Sequence, residues 1–263
     1  MRNALALLLL MPVLAFPAGK RTLLAVFAHP DDETVVGPLL AKYAKEGYTV
    51  HLLTLTAGQL GTAPHAKIPA GDALAAVRTK ELACAAEKLG LSGHTLLGFK
   101  DQGFAVGWAA EPMNEAANNV REAINTLRPD VIVTWGPDGG TGHPDHRTAS
   151  NITTQAFQER SLLNAQPKKL YYVVFPDMPD APGEMAKGRK VSAEFITTEV
   201  DGGQYIGRAY AGVQCHQSQW TPETMAGFRS MLQARKGIVM LRLALSTVGM
   251  PTVRERDIFE RVP

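Results

Sequence analysis

Cysteine is scarce in this chain: 263 residues contain only Cys84 and Cys215. An even pair permits a disulfide in an exported protein, yet each lies in a helix-like apolar pattern where a free buried thiol is the commoner state, so the pairing stays open. Strong charge of either sign is also missing. Lysine plus arginine total 27 against 25 for aspartate plus glutamate, and no basic stretch is interleaved with aromatics, which excludes nucleic acid as a partner and favours a neutral or mildly polar substrate. No apolar run is long enough to span a bilayer comfortably. Residues Ala4 to Ala15, broken only by Pro12 and preceded by Met1-Arg2, instead have the charge and length of a secretory signal peptide. We therefore expect a signal peptide over 1–18 and export, with an uncleaved anchor as the weaker reading. No cysteine follows closely, which argues against lipoprotein attachment. Internal repeats, long low-complexity tracts and a second domain are likewise absent, so residues 19–263 are read as one catalytic domain.

What is present alternates. Arg21 to Ala28 reads as a buried strand, followed by a helix with Leu39, Leu40, Tyr43 and Ala44 on its inner face and Gly47 at its end. Tyr48 to Thr56 is a second strand, Ala70 to Leu89 a long helix closed by Gly90, and Thr95 to Leu97 a short strand. A helix from Glu111 to Leu127 stops before Pro129, and Asp130 to Trp135 is the fourth strand. This order predicts a single Rossmann-like α/β domain, its mostly parallel sheet flanked by helices on both faces. Further on come a helix to Arg160, a strand from Leu170 to Phe175, and a Pro/Gly-rich segment from Pro176 to Gly188, which is a candidate rim or lid. A strand from Ala193 to Val200 and helices over Gly203 to His216 and Glu223 to Arg235 are expected to close the domain.

Two motifs carry chemistry, and both sit just beyond predicted strands. The first is Ala28-His-Pro-Asp-Asp-Glu33, the second His143-Pro-Asp-His146. In a parallel α/β sheet ligands collect at the carboxyl ends of strands, so the two motifs are expected in one site. His29, Asp32 and His146 supply the three protein ligands of a hydrolytic zinc ion with one position left for water. Zinc lowers the pKa of that water from about 15.7 towards 7. Asp31 can face the water as general base while Asp32 ligates, and Glu33 supports. His143, in protonated form, is assigned to oxyanion stabilisation and proton donation to the leaving amine, and Asp145 to holding an imidazole in its tautomer. The neighbouring Gly136, Gly139, Gly140 and Gly142 lack the Gly-Lys-Ser/Thr ending of a phosphate loop.

Together the two motifs resemble the LmbE/PIG-L superfamily of zinc-dependent N-acetylglucosaminyl deacetylases, over most of the chain after the expected signal peptide. The resemblance implies a Rossmann-like fold, one Zn2+ ion, and hydrolysis of an N-acetyl group from an amino sugar or glycoconjugate. It implies the same roles for His29, Asp32, His146, Asp31 and His143. It further implies substrate contacts for Arg78 and Asp101, whose bland alternatives are a surface ion pair and a turn residue. His216 in Cys215-His-Gln-Ser-Gln219 resembles a late family motif, although a lone histidine on a helix face is usually structural. Thr141 stands where some members carry a tyrosine. Two other readings compete: another metallohydrolase such as a phosphoesterase, for which only one three-ligand set is visible, and a non-catalytic glycan-binding module, which would need neither Asp31 nor His143.

Overall fold

The computed structural model describes residues 20–105, 111–176 and 190–263. The expected signal peptide lies outside them, as does the expected rim segment beyond Pro176. Seven strands form one sheet: β1 (Thr22–Phe27), β2 (Thr49–Thr56), β3 (Gly93–Phe99), β4 (Val131–Trp135), β5 (Lys169–Val173), β6 (Thr198–Asp201) and β7 (Ile238–Ser246). Their order is β3-β2-β1-β4-β5-β7-β6. The first five strands are parallel, and β7 runs antiparallel to both β5 and β6.

All six residues of β1 are buried, which a strand achieves only when both sheet faces are covered. The covering helices are α1 (Gly37–Lys45), α2 (Asp72–Leu89), α3 (Glu111–Leu127), α4 (Pro144–Gln158), α5 (Ile206–Val213) and α6 (Pro222–Ala234). One group has α3 packed on α4, while in the other α5 packs on α1, α2 and α6. Periodicity explains the inward faces. In α3 the buried residues Ala116, Ala117, Val120 and Ile124 recur at helical spacing, and the buried Val120 and Ile124 side chains contribute about 1.5–3 kcal/mol each. Helix α2 ends where Gly90, at φ 80°, turns left-handed and its N–H returns to Ala86 O.

Two expectations need correction at the C-terminal side. The strand expected from Ala193 to Val200 is a 3-10 turn at Ala193–Phe195 followed by β6 from Thr198. The helices expected to close the domain are followed by β7, which inserts between β5 and β6 and buries Val239, Leu241 and Leu243 in alternation. An inserted antiparallel strand is a long-range pairing, and no local pattern declares its neighbours.

Chain order reverses between β1 and β4. From β1 the chain runs outward through β2 and β3, then returns to place β4 on the other side. Their carboxyl ends, Phe27 and Trp135, therefore open a crevice at a topological switch point. Both motifs begin there.

Far from that crevice, the chain end is fastened by a buried ion pair. Lys169 is fully buried, with Nζ 3.0 Å from both carboxylate oxygens of Glu255, which also accepts from Tyr171 Oη at 2.8 Å and Arg261 Nη2 at 2.7 Å. Removing one partner of such a pair strands the other charge in a low-dielectric interior. Glu255→Ala is expected to cost about 3–5 kcal/mol in a urea titration, and the Lys169→Met/Glu255→Leu double variant markedly less. Equal losses for the two would show that packing, not the charge, is at stake.

Candidate metal centre

The turn after β1 is built around one carboxylate. Pro30 pushes His29 into extended backbone, Asp31 takes φ 108°, and Asp32 to Val36 form a 3-10 turn. Asp32 Oδ2 then accepts from Ala28 N at 2.9 Å, His29 N at 3.0 Å and Trp135 Nε1 at 3.0 Å. That oxygen is saturated. Oδ1 is left facing His146 Nε2 at 3.1 Å, and the carboxylate joins the ends of β1 and β4.

His146 projects from the first turn of α4 and is oriented by its other nitrogen. Its Nδ1 donates to Gly139 O at 2.9 Å; a carbonyl only accepts, so Nε2 carries the lone pair. The ring stacks on Trp135, 4.5 Å between centroids and 5° from parallel. Gly140 allows this: at φ 63°, a Cβ there would lie 2.6 Å from the Trp135 ring. His29 is oriented the same way, its Nε2 lying 3.3 Å from both Asp101 Oδ1 and Asp145 Oδ2. Its Nδ1 faces His146 Nε2 at 3.2 Å and Asp32 Oδ2 at 3.8 Å.

Three electron-pair donors, His29 Nδ1, His146 Nε2 and Asp32 Oδ1, thus converge with each outer nitrogen already committed elsewhere. Donors held about 2.0–2.1 Å from a tetrahedral ion would sit about 3.3 Å apart. The donor set fits a divalent cation. The charge balance agrees, because Asp32, Asp101 and Asp145 surround His29 with three buried carboxylates. Burial opposes a charge on His29, yet Asp101, Asp145 and Asp32 outweigh it and raise its pKa to about 10. Burial likewise works against Asp32 as an anion, but His146, His29 and Trp135 hold it well below the usual carboxylate range. The cluster calls for positive charge.

The sequence expectations distribute as follows. His29, Asp32 and His146 come together, with His143 beside the two imidazoles and all three rings offering nitrogens within 4.8 Å of one another. Asp31 points into the same cavity, its side chain 17% exposed and Oδ2 3.2 Å from Arg78 Nη2. Burial pushes its carboxyl up to about 6, against the pull of Arg78. A left-handed non-glycine residue costs about 1–3 kcal/mol unless its surroundings impose it. Here they do: Asp31 N donates to Glu33 Oε2 at 3.0 Å, and Asp31 O accepts from Thr34 N at 3.1 Å.

His143 departs from its expected protonated form. It caps α4 by accepting from Asp145 N at its own Nδ1, 3.1 Å away. That bond requires an unprotonated Nδ1, so the neutral ring with its proton on Nε2 is the donor. Burial, then the neighbouring His29 and His146, also lowers its pKa. Asp145 does not face His143 with its side chain; the imidazole it holds is that of His29. Arg78 and Asp101, expected at the substrate, line the cavity but are engaged with the protein. Arg78 donates to Gly58 O at 2.8 Å and to Pro30 O, and Asp101 Oδ2 accepts from Leu60 N at 2.9 Å.

Several residues of the site had no sequence signal. Trp135 looked only like the last residue of a strand. Glu81 and Cys84 share one face of α2 with Arg78 at three-residue spacing, and all three reach the site's frame. Glu81 accepts from Ser218 N and Oγ, both at 2.7 Å, and Cys84 forms a disulfide with Cys215, Cα atoms 5.8 Å apart. Between these ties His216, fully buried, places Nε2 2.6 Å from Glu33 Oε1. The late His-Gln-Ser-Gln segment is therefore bolted to α2 and, through Glu33, to the backbone of Asp31. A cavity of about 470 Å3 opens over the centre, and Val35, Trp220, Thr224 and Phe228 are also among its lining residues.

Residues 24–157 match the sequence profile of the PIG-L family, described as GlcNAc-PI de-N-acetylase. The chain is 32% identical over 245 residues to the 1D-myo-inositol 2-acetamido-2-deoxy-alpha-D-glucopyranoside deacetylase of Streptomyces avermitilis, covering 76% of this chain and 83% of that one. Among solved structures it resembles the N,N'-diacetylchitobiose deacetylase of Pyrococcus horikoshii, with TM-score 0.64 at 18% identity over 86% of this chain and 84% of that one. It also resembles GalB, the 4-carboxy-2-hydroxymuconate hydratase of Pseudomonas putida, with TM-score 0.66 at 17% identity over 89% of this chain and all (100%) of that one. At those identities the structural likeness shows the fold alone.

Asp101→Asn and Asp145→Asn are each expected to weaken divalent-cation affinity about 10- to 100-fold in a competitive chelator titration, because each orients a ligand imidazole. Unchanged affinity would remove them from the cation's support. The Cys84→Ala/Cys215→Ala double variant is expected to lose about 2–4 kcal/mol of stability, since the bridge spans 131 residues. A urea midpoint equal to that of the oxidised parent would show that the bridge adds nothing.

Proposed function

The chain belongs to the PIG-L family of GlcNAc-PI de-N-acetylases, and from that premise we propose that it is an exported, zinc-dependent N-deacetylase releasing acetate from an amino sugar or glycoconjugate. The observation that carries this reading is the convergence of His29 Nδ1, His146 Nε2 and Asp32 Oδ1 beside a carboxylate that is not needed as a ligand. Zinc held by His29, Asp32 and His146 would supply Lewis-acid polarisation of the amide carbonyl and a lowered pKa for water there.

The protein's own groups then have separable tasks. Asp31, with a carboxyl raised towards neutral pH, accepts a proton from water as its oxygen bonds to the acetyl carbon. Arg78 keeps that carboxylate in place and limits how far its pKa rises. His143 offers an Nε2–H to the oxygen that becomes negative when the carbonyl turns tetrahedral, a contribution of about 10²–10³ in rate. Breaking the C–N bond requires a proton on the leaving nitrogen, and the proton taken up by Asp31 is available for it. Asp101 and Asp145 do not touch the reacting atoms; they keep His29 Nδ1 aimed.

Export is supported by the Cys84–Cys215 bridge, because disulfides persist in oxidising compartments. No described helix is long and apolar enough to cross a membrane.

Acetate release from N-acetylglucosamine and its glycosides by the zinc-loaded enzyme tests the proposal. Chelation should abolish release and zinc should restore it. Asp31→Asn should lower kcat by about 10²–10⁴ while leaving zinc content intact. His146→Ala should lose the zinc itself, measured by elemental analysis. Acetate release that survives both chelation and Asp31→Asn would reject the mechanism.

A further inference from the structure

The cavity over the centre is lined by two unlike sets of residues. Its lining includes His29, Asp31, Asp32, His143 and His146 together with Val35, Trp220, Thr224 and Phe228, and none of the last four is charged. Trp220 differs from its neighbours. Phe228 is 5% exposed and His216 fully buried, whereas Trp220 is partly exposed, so those two rings back it while it presents surface to the cavity. The backing is tight: ring centroids lie 4.5 Å away for Phe228 and 5.5 Å for His216. Its backbone is held as well, Trp220 N donating to His216 O at 3.1 Å, immediately before Thr221 caps α6. The indole N–H makes no hydrogen bond among the described residues.

A partly exposed indole that lines the cavity and keeps an unpartnered N–H among the described residues matches one kind of group: a saturated ring whose C–H face is apolar and whose rim carries hydroxyls. The charges around it are selective too. Among the described residues lining the cavity, Arg78 is the sole permanent cation, and its guanidinium is taken by Gly58 O, Pro30 O and Asp31. Asp31, Asp32 and Asp101 line the same space. A phosphate or carboxylate on the substrate would meet these carboxylates, while Arg78, the one permanent cation among the described lining residues, is already paired with Asp31.

We propose that Trp220 is the specificity-determining platform of this site, stacking an uncharged pyranose whose acetamido group reaches the metal centre, and that the cavity discriminates against anionic sugars. The inference rests on the deacetylase reading and deepens it by naming the substrate class. Position and support assign Trp220 to binding, not to the chemical step.

The test compares wild-type zinc enzyme with Trp220→Ala and the conservative Trp220→Phe on three probes. These are the methyl glycoside of N-acetylglucosamine, N-acetylglucosamine 1-phosphate, and acyclic N-acetylethanolamine. Loss of the platform should raise KM for the methyl glycoside about tenfold with kcat within about twofold, Trp220→Phe should recover most of it, and the acyclic amide should be unaffected. Wild-type kcat/KM for the 1-phosphate should be at least about tenfold below that for the neutral glycoside. An unchanged KM in Trp220→Ala, or equal use of the phosphate, overturns the proposal. Should no probe release acetate, the deacetylase reading fails separately, and the platform is read by fluorescence. The methyl glycoside should then change wild-type tryptophan emission but not that of Trp220→Phe; an identical response in both overturns it.

Discussion

One carboxylate holds the site together. Asp32 Oδ2 takes N–H groups from the end of β1 and from Trp135 at the end of β4, while Oδ1 meets His146 from α4. A switch point between two parallel strands leaves a crevice with unpaired backbone donors, and an anion placed there ties its two sides. Its burial is tolerable only because every lone pair has a partner or a cation to meet. The same condition extends outward to Asp101 and Asp145, whose charges make sense only around a cationic centre.

A second layer of constraint comes from the far end of the chain. Arg78, Glu81 and Cys84 on α2 grip Asp31, Ser218 and Cys215 in turn. The segment they hold carries His216, whose pair with Glu33 fixes the left-handed turn at Asp31. It also carries Trp220, facing the cavity. Asp31 and the cavity lining at Trp220 are therefore tied into one assembly, which suits a reaction that needs its groups placed to within a fraction of an ångström.

How much of this was legible depends on range. The parallel half of the sheet was readable because β1, β2 and β4 are short buried runs alternating with helices whose caps are local: Pro38, Gly90, Pro129. That His29, Asp32 and His146 share one site was readable because His29 and Asp32 lie in one turn and His146 opens a helix behind a proline. Strand β7 was not, since a strand inserted between β5 and β6 is defined by its neighbours. Arg78 and Asp101 line the cavity as expected, but their bonds to Gly58, Pro30 and Leu60 were not readable, because which backbone carbonyls and amides pass nearby is set by the fold.

The sequence by itself determined the chemistry available here: which residues can bind a metal, which can move a proton, and that both groups leave strand ends. It did so because side-chain types and turn-forming neighbours are properties of short segments. Tertiary structure alone decided which nitrogen of His29 and His146 faces inward, that His143 Nδ1 is an acceptor, that Cys84 and Cys215 join, and that a supported tryptophan lines the cavity. Each of those depends on atoms brought together from distant parts of the chain, where burial and the direction of single hydrogen bonds set the protonation state and exposure that no local pattern encodes.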